Sequence, residues 1–342
     1  MQNSPNKGVF PWLTALLVAA VLLSACLGAI DIHIREIAGA AGKLFYNGSD
    51  YTLHERVFLE IRLPRVLFCL FAGAALAVGG VLLQALFRNP IIEPGLIGTS
   101  SGAAFGAALY FVAGATFHFH AGVWMLPLAA CAGAMLATFM VLGLSGSREN
   151  GKTGIVTLLL MGIAVNALFL SGTGFLSYIA RDPQARSITF WNLGTLSGAN
   201  WESVVITAIV VTLCCWRAMA CAARLNLLML GEEEAQLSGV GVKRLKMEVM
   251  VINVIMIAVV TAFTGVISFV GLVVPHLLRI WKGADNRYLV AAGALTGAIL
   301  LTAADIAARL LLRPAELPIG IVTSLAGVPV FIFLLKKKKY YF

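Results

Sequence analysis

Three groups of residues in this chain are equipped for chemistry. They are the carboxylate run Glu232-Glu233-Glu234, the pair Asp305 and Arg309 four residues apart, and the histidines, of which His118, His120 and His276 stand in or beside apolar runs. The carboxylates precede Ala235-Gln236-Leu237 and suit the positive end of a short helix that Gly239 and Gly241 stop. On these residues alone that is the chemistry of a solvated surface helix or of a docking surface. Asp305 and Arg309 have the spacing of an ion pair along one helix face. Neutral imidazole is a metal ligand, so His118 and His120, on a short outer loop, are candidates to touch a metal, while loop histidines are more commonly plain surface residues. His276 follows Pro275 and reads as a packed residue near the inner surface. No Walker A loop, HExxH motif or GxSxG elbow is present, so no catalytic residue is assigned and the chain is read as no enzyme. The six cysteines, Cys26, Cys69, Cys131, Cys214, Cys215 and Cys221, form no CxxC pair and read as small apolar residues. No metal site and no cofactor of the chain's own are expected.

Composition dictates the elements that carry these residues. The chain has 342 residues, 60% hydrophobic and 12% charged, with a mean hydropathy of +0.91. No ordinary globular surface can be made from so few charges, which excludes soluble enzymes, nucleic-acid binders and secreted disulfide scaffolds. The expected fold is an all-α polytopic membrane protein forming one domain, 1–342. Apolar runs predict about ten spans, near 10–30, 64–86, 94–113, 122–144, 154–178, 201–220, 247–267, 269–281, 288–307 and 318–335. The eighth is short and fits a half-span buried among other helices.

Lysine and arginine concentrate on the cytoplasmic side of such proteins, which also accounts for the net charge of +9 without any nucleic acid. With the N-terminus inside, 16 of the 25 basic residues are cytoplasmic, so both termini are placed there. Two polar stretches remain, an outer one at 31–62 and a cytoplasmic one at 217–246. Leu23-Ser24-Ala25-Cys26 has the look of a lipoprotein signal, but small residues before a cysteine also arise by chance in a first span. Gly98, Gly102 and Gly106 in the third span, and Gly293 and Gly297 in the ninth, predict closely packed helices. An ion-coupled carrier would carry several carboxylates near the bilayer midplane, and none is securely placed there.

Longer motifs supply a resemblance. They are Ile61-Arg62-Leu63-Pro64-Arg65, the stretch from Gln84 to Gly98 running into Ser100-Ser101-Gly102-Ala103, and Phe190 to Gly198. Gly231 to Val242, Ser268 to Arg279, and Ala315 to Thr323 follow. In this order they resemble permease subunits of the iron-chelate and vitamin B12 family of ABC importers, over about residues 10 to 336. The resemblance implies a type II importer in the bacterial inner membrane. It would be a homodimer of ten-span subunits with an axial substrate path. Two ATPase subunits that bind ATP and Mg would sit below, and a periplasmic binding protein would deliver cargo. It also implies that Gly231, Glu232, Glu233, Glu234, Ala235, Leu237 and Gly239 seat on the ATPase. Arg62, Arg65 and Arg309 would meet carboxylates of the binding protein, a task to which a permanently charged two-pronged guanidinium is suited. Asn89, Ile91 and Thr153 would belong to the cytoplasmic gate. The implied cargo is an iron chelate, haem before ferric siderophore, with cobalamin the alternative and an ion-coupled carrier more distant.

Overall fold

The computed structural model describes residues 8–28, 30–45, 50–116, 122–145 and 155–336. Fourteen α-helices follow one another among them, and no strand does. They are α1 (Val9–Cys26), α2 (Ile34–Phe45), α3 (Leu53–Val57), α4 (Leu63–Phe87), α5 (Thr99–Thr116), α6 (Met125–Ser145) and α7 (Ile155–Ile179). Then come α8 (Asp182–Asn192), α9 (Trp201–Leu230), α10 (Glu232–Leu237), α11 (Val242–Thr264), α12 (Val270–Lys282), α13 (Asn286–Leu310) and α14 (Ile319–Lys336). Each of the ten apolar runs holds one helix. By length and composition, seven described helices are able to cross a membrane, and one of them is the continuous helix Leu53–Phe87.

The outer stretch 31–62 is helical rather than loose. Thr52 and Glu55 form a capping box that starts α3. A π-turn at Phe58–Arg62 then joins α3 to α4. Ala25, Ile32, Ala40 and Phe58 make a small core beneath α2.

The bundle is built around α4, whose run of Gly and Ala lets neighbouring backbones approach. A Cβ on Gly297 of α13 would stand 2.2 Å from the Gly73 carbonyl oxygen, and one on Gly80 would stand 1.8 Å from that of Gly271 in α12. Glycine is therefore required at these crossings. The small residues predicted in the third span do the same between α5 and α6, where Gly102 faces Gly133. Gly98 is different: it ends a 3-10 turn in the left-handed region, at φ 88°, and a Cβ there would make only ordinary contact, 3.4 Å from the Ala137 side chain of α6.

Two boundaries depart from expectation, at residues 94–97 and 217–246, while the eighth run is short as expected. Residues 94–97 are a 3-10 turn, and the third apolar helix starts only at Thr99. Asn166, the twelfth residue of α7, donates to the Gly95 and Leu96 carbonyls at 3.2 and 3.1 Å. That places the turn about 17 Å along α7, so the 88–98 segment runs deep into the bundle. Irregular backbone at that depth is tolerated because protein surrounds it. The short eighth run is the 13-residue α12, about 20 Å long and insufficient for a 30 Å hydrocarbon layer. The cytoplasmic stretch 217–246 is mostly helix, because α9 continues to Leu230 and α10 follows after one glycine.

Residues assigned to one side by the charge count do meet in space. Arg309 reaches Ser24, and Trp201 donates to the Leu59 carbonyl at 3.1 Å. At the other end Asn226 reaches Asp285.

Candidate functional site

The cytoplasmic end carries the predicted docking helix. Gly231 ends α9 and precedes α10 with φ 150°, a conformation that needs glycine, and the Glu234 carboxylate folds back against it. Ala235 is fully buried and anchors α10, while the Val240 N–H returns to the Ala235 carbonyl at 2.9 Å. Lys246 of α11 holds Glu232 at 2.7 Å. What remains facing out is Glu233, Glu234, Gln236 and Leu237, the last 90% exposed, with Gly239 in the left-handed region just beyond. Leu237 is thus a large apolar side chain left exposed beside carboxylates on a six-residue helix.

The predicted gate residues Asn89 and Ile91 follow the end of α4, which Arg88 closes in the left-handed region at φ 49°. The Asn89 side chain accepts the Ile91 N–H at 3.0 Å, and Ile91 is 45% exposed. Thr153, together with His118, His120 and Lys337–Lys339, lies outside the described residues.

Sequence reasoning missed Glu93 in the same segment. Its carboxylate accepts the Phe269 N–H, at 3.3 Å, at the start of α12. No local pattern marks it, since the partner lies 176 residues away.

The three predicted docking arginines do meet at the outer end, and all three are buried within the chain. Arg65 donates through Nε and Nη2 to Asp305 Oδ1, at 3.0 and 2.8 Å, and through Nη1 to both Glu316 oxygens at 2.9 Å. Arg309 pairs with Asp305 Oδ2 at 2.9 Å, as its spacing predicted. It also donates to Ser24 Oγ at 2.7 Å and to the Leu27 carbonyl at 2.6 Å. Arg62 donates to the Leu27 and Ile30 carbonyls. The last carbonyls of a helix lack partners within it, and here two guanidinium groups satisfy those of α1. Ser24 of the signal-like sequence is thus a packing residue. Asp305 is wholly buried, and Glu316 is the carboxylate of this cluster that reaches solvent.

His276 is buried in α12, as expected of a packed residue. All six cysteines are free, and no group of His, Cys, Asp or Glu able to hold a metal occurs among the described residues.

Comparison with known proteins follows from this geometry. The family model described as the FecCD transport family matches residues 16–337. The hemin transport system permease protein HmuU of Yersinia pestis is 39% identical over 328 residues, covering 96% of this chain and 95% of that protein. The vitamin B12 import system permease protein BtuC of Yersinia enterocolitica is 35% identical, covering 99% and 95%. A metal-chelate type ABC transporter solved in an inward-facing conformation superposes with a TM-score of 0.84 at 31% identity, over 96% of this chain and 99% of that one. This helical membrane bundle, matched by the family model over residues 16–337 and by these relatives over nearly its whole length, belongs to the FecCD transport family, the multi-pass inner-membrane permease subunits of ABC importers.

Proposed function

We propose that this permease carries an iron chelate inward, with haem the first cargo to test and a ferric siderophore the second. The observation that carries the reading is the 39% identity to the hemin permease across 96% of the chain, against 35% to the vitamin B12 permease of the same genus. Cobalamin is the alternative, favoured by the several B12 permeases that match at 35 to 37%. In this reading two copies of the chain enclose the axial path, and each seats α10 on one of two ATPase subunits that bind ATP and Mg. ATP then acts as a population shift, since the closed ATPase pair binds one permease conformation better. Asn89, Ile91 and Thr153 serve as the cytoplasmic gate. A periplasmic binding protein docks at the outer end, where Arg65 meets solvent through Glu316.

The test is a spectroscopic titration of the cognate binding protein with haem, followed by uptake into liposomes holding permease and ATPase. A stoichiometric Soret shift with ATP-dependent haem uptake supports the reading. Absence of both, with ATP-dependent uptake of a ferric siderophore or cobalamin, replaces the cargo and leaves the importer mechanism standing.

A further inference from the structure

The gate segment and the docking helix are far apart in sequence, yet α12 reaches toward both. At its first turn, Glu93 of the 88–98 segment accepts the Phe269 N–H at 3.3 Å. Phe269 is held in the left-handed region at φ 70°, where a residue with a Cβ is strained. Arg88, at the head of the gate segment, is the other non-glycine residue with positive φ among those described. Strained backbone persists only where its surroundings impose it. Here they do. The Gln84 side chain donates to the Gly271 and Leu272 carbonyls at 3.3 and 3.4 Å, and Gly327 of α14 lies directly against the Phe269 side chain.

At its other end α12 runs through Gly283 into Asp285, which caps α13 by accepting the Arg287 N–H at 2.9 Å. The same Asp285 oxygen accepts Asn226 Nδ2 at 2.7 Å. Asn226 Oδ1 accepts both nitrogens of Asn286, each at 2.8 Å. Asn226 stands in the last two turns of α9, and α10 begins one glycine after that helix ends. A continuous chain of hydrogen bonds and helix therefore runs from the docking helix through Asn226, α12 and Glu93 to Asn89 and Ile91.

We propose that α12 is a strut conveying displacement of the docking helix to the cytoplasmic gate, with Asn226 as its joint at one end and Glu93 as its joint at the other. Both act through other groups and are positioning residues. The proposal rests on the gate reading of the 88–98 segment. A half-helix suits the task because it starts inside the bundle and moves as a rigid body. The first N–H groups of a helix lack partners within it, and the Glu93 side chain supplies an acceptor there, so the joint is a hydrogen bond.

The experiment uses the assembled transporter, permease with its ATPase, in inside-out vesicles. Ile91→Cys is labelled with a membrane-impermeant maleimide, with and without ATP plus vanadate, and labelling of the protein lacking this cysteine is subtracted. In the parent the nucleotide changes the labelling rate by roughly 5- to 150-fold, the usual span of coupling between sites. Glu93→Ala and Asn226→Ala each reduce that change to about twofold or less, and the double variant resembles either single one because both interrupt one path. Glu93→Gln keeps an acceptor oxygen and keeps most of the response, which shows that the segment still folds. Retention of the full response in both alanine variants, with the ATPase still bound, overturns the strut. No nucleotide response in the parent overturns the gate reading and the strut with it.

Discussion

Asp305 offers a test of what holds the outer end of the bundle together. Its carboxylate is wholly buried and serves two arginines at once, at 2.8 to 3.0 Å. The cluster contains three cations, Arg62, Arg65 and Arg309, and two anions, Asp305 and Glu316, an excess of one positive charge. Asp305→Ala raises that excess to two in a place where water cannot compensate. Arg65 keeps Glu316, but Arg309 keeps only the neutral oxygens of Ser24 and Leu27. Removing one member of a buried ion pair costs about 3–5 kcal/mol, chiefly through the stranded charge. At about 2 °C per kcal/mol for a chain of this size, the expected fall in Tm is roughly 6–10 °C. Differential scanning fluorimetry on the purified permease, at matched scan rate and detergent, reads it directly. The stronger check is a double-mutant cycle with Arg309→Met. Once the stranded cation is removed as well, the double variant should be milder than the sum of the singles by at least about 1 kcal/mol. A Tm shift below about 2 °C, or strict additivity, would refute the charge argument and leave Asp305 as an ordinary helix residue.

Other substitutions probe other links. Gly297→Val forces α13 away from α4, because even a methyl group would sit 2.2 Å from a backbone oxygen. It should abolish the monodisperse peak in size-exclusion chromatography, whereas Gly143→Val, with nothing within 4 Å, should not. Leu237→Asp at the exposed tip of α10 should weaken ATPase retention about tenfold, read by co-purification, with Tm unchanged. Glu36 of α2 has its pKa lowered by its hydrogen bond to His54 and then by that from the His33 N–H. A lowered carboxylate stabilises the folded state above its ordinary value of 4.5, and this contribution disappears as pH falls through the folded-state value. Hydrogen-exchange protection across residues 34–45, taken relative to the intrinsic rate at each pH, should therefore fall as pH drops below 4.5, and Glu36→Gln should remove this pH dependence.

Hydropathy carried most of the architecture, because hydrocarbon demands apolar length and every one of the ten runs became a helix. It failed at residues 94–97, where Pro94-Gly95-Leu96-Ile97 is apolar enough to continue a span but the backbone takes a 3-10 turn supported by Asn166. The short helix α10 was legible from local chemistry alone, through three carboxylates at its start and glycines on both sides, whereas its docking role came from the resemblance. The outer arginines show the limit of charge counting. It placed Arg62, Arg65 and Arg309 on the correct side, but it carries no information on depth, and their partners come from α1, α13 and the 311–318 loop. Glu93, Asn226 and Asp285 were invisible for the same reason: their roles exist only through contacts that the fold creates between distant segments.

The grip of Glu316 on Arg65 bears on how a delivery protein would come and go. A newcomer's carboxylate finds no vacant cation there; it must evict one that already holds the guanidinium through two hydrogen bonds. Capture is then a trade of one ion pair for a similar one, with little net gain. Such near-parity suits a courier that has to leave after every delivery, since the resident carboxylate stands ready to take its place back. If the proposed docking holds, Glu316 sets the residence time, and Glu316→Gln would lengthen each visit and slow the cycle.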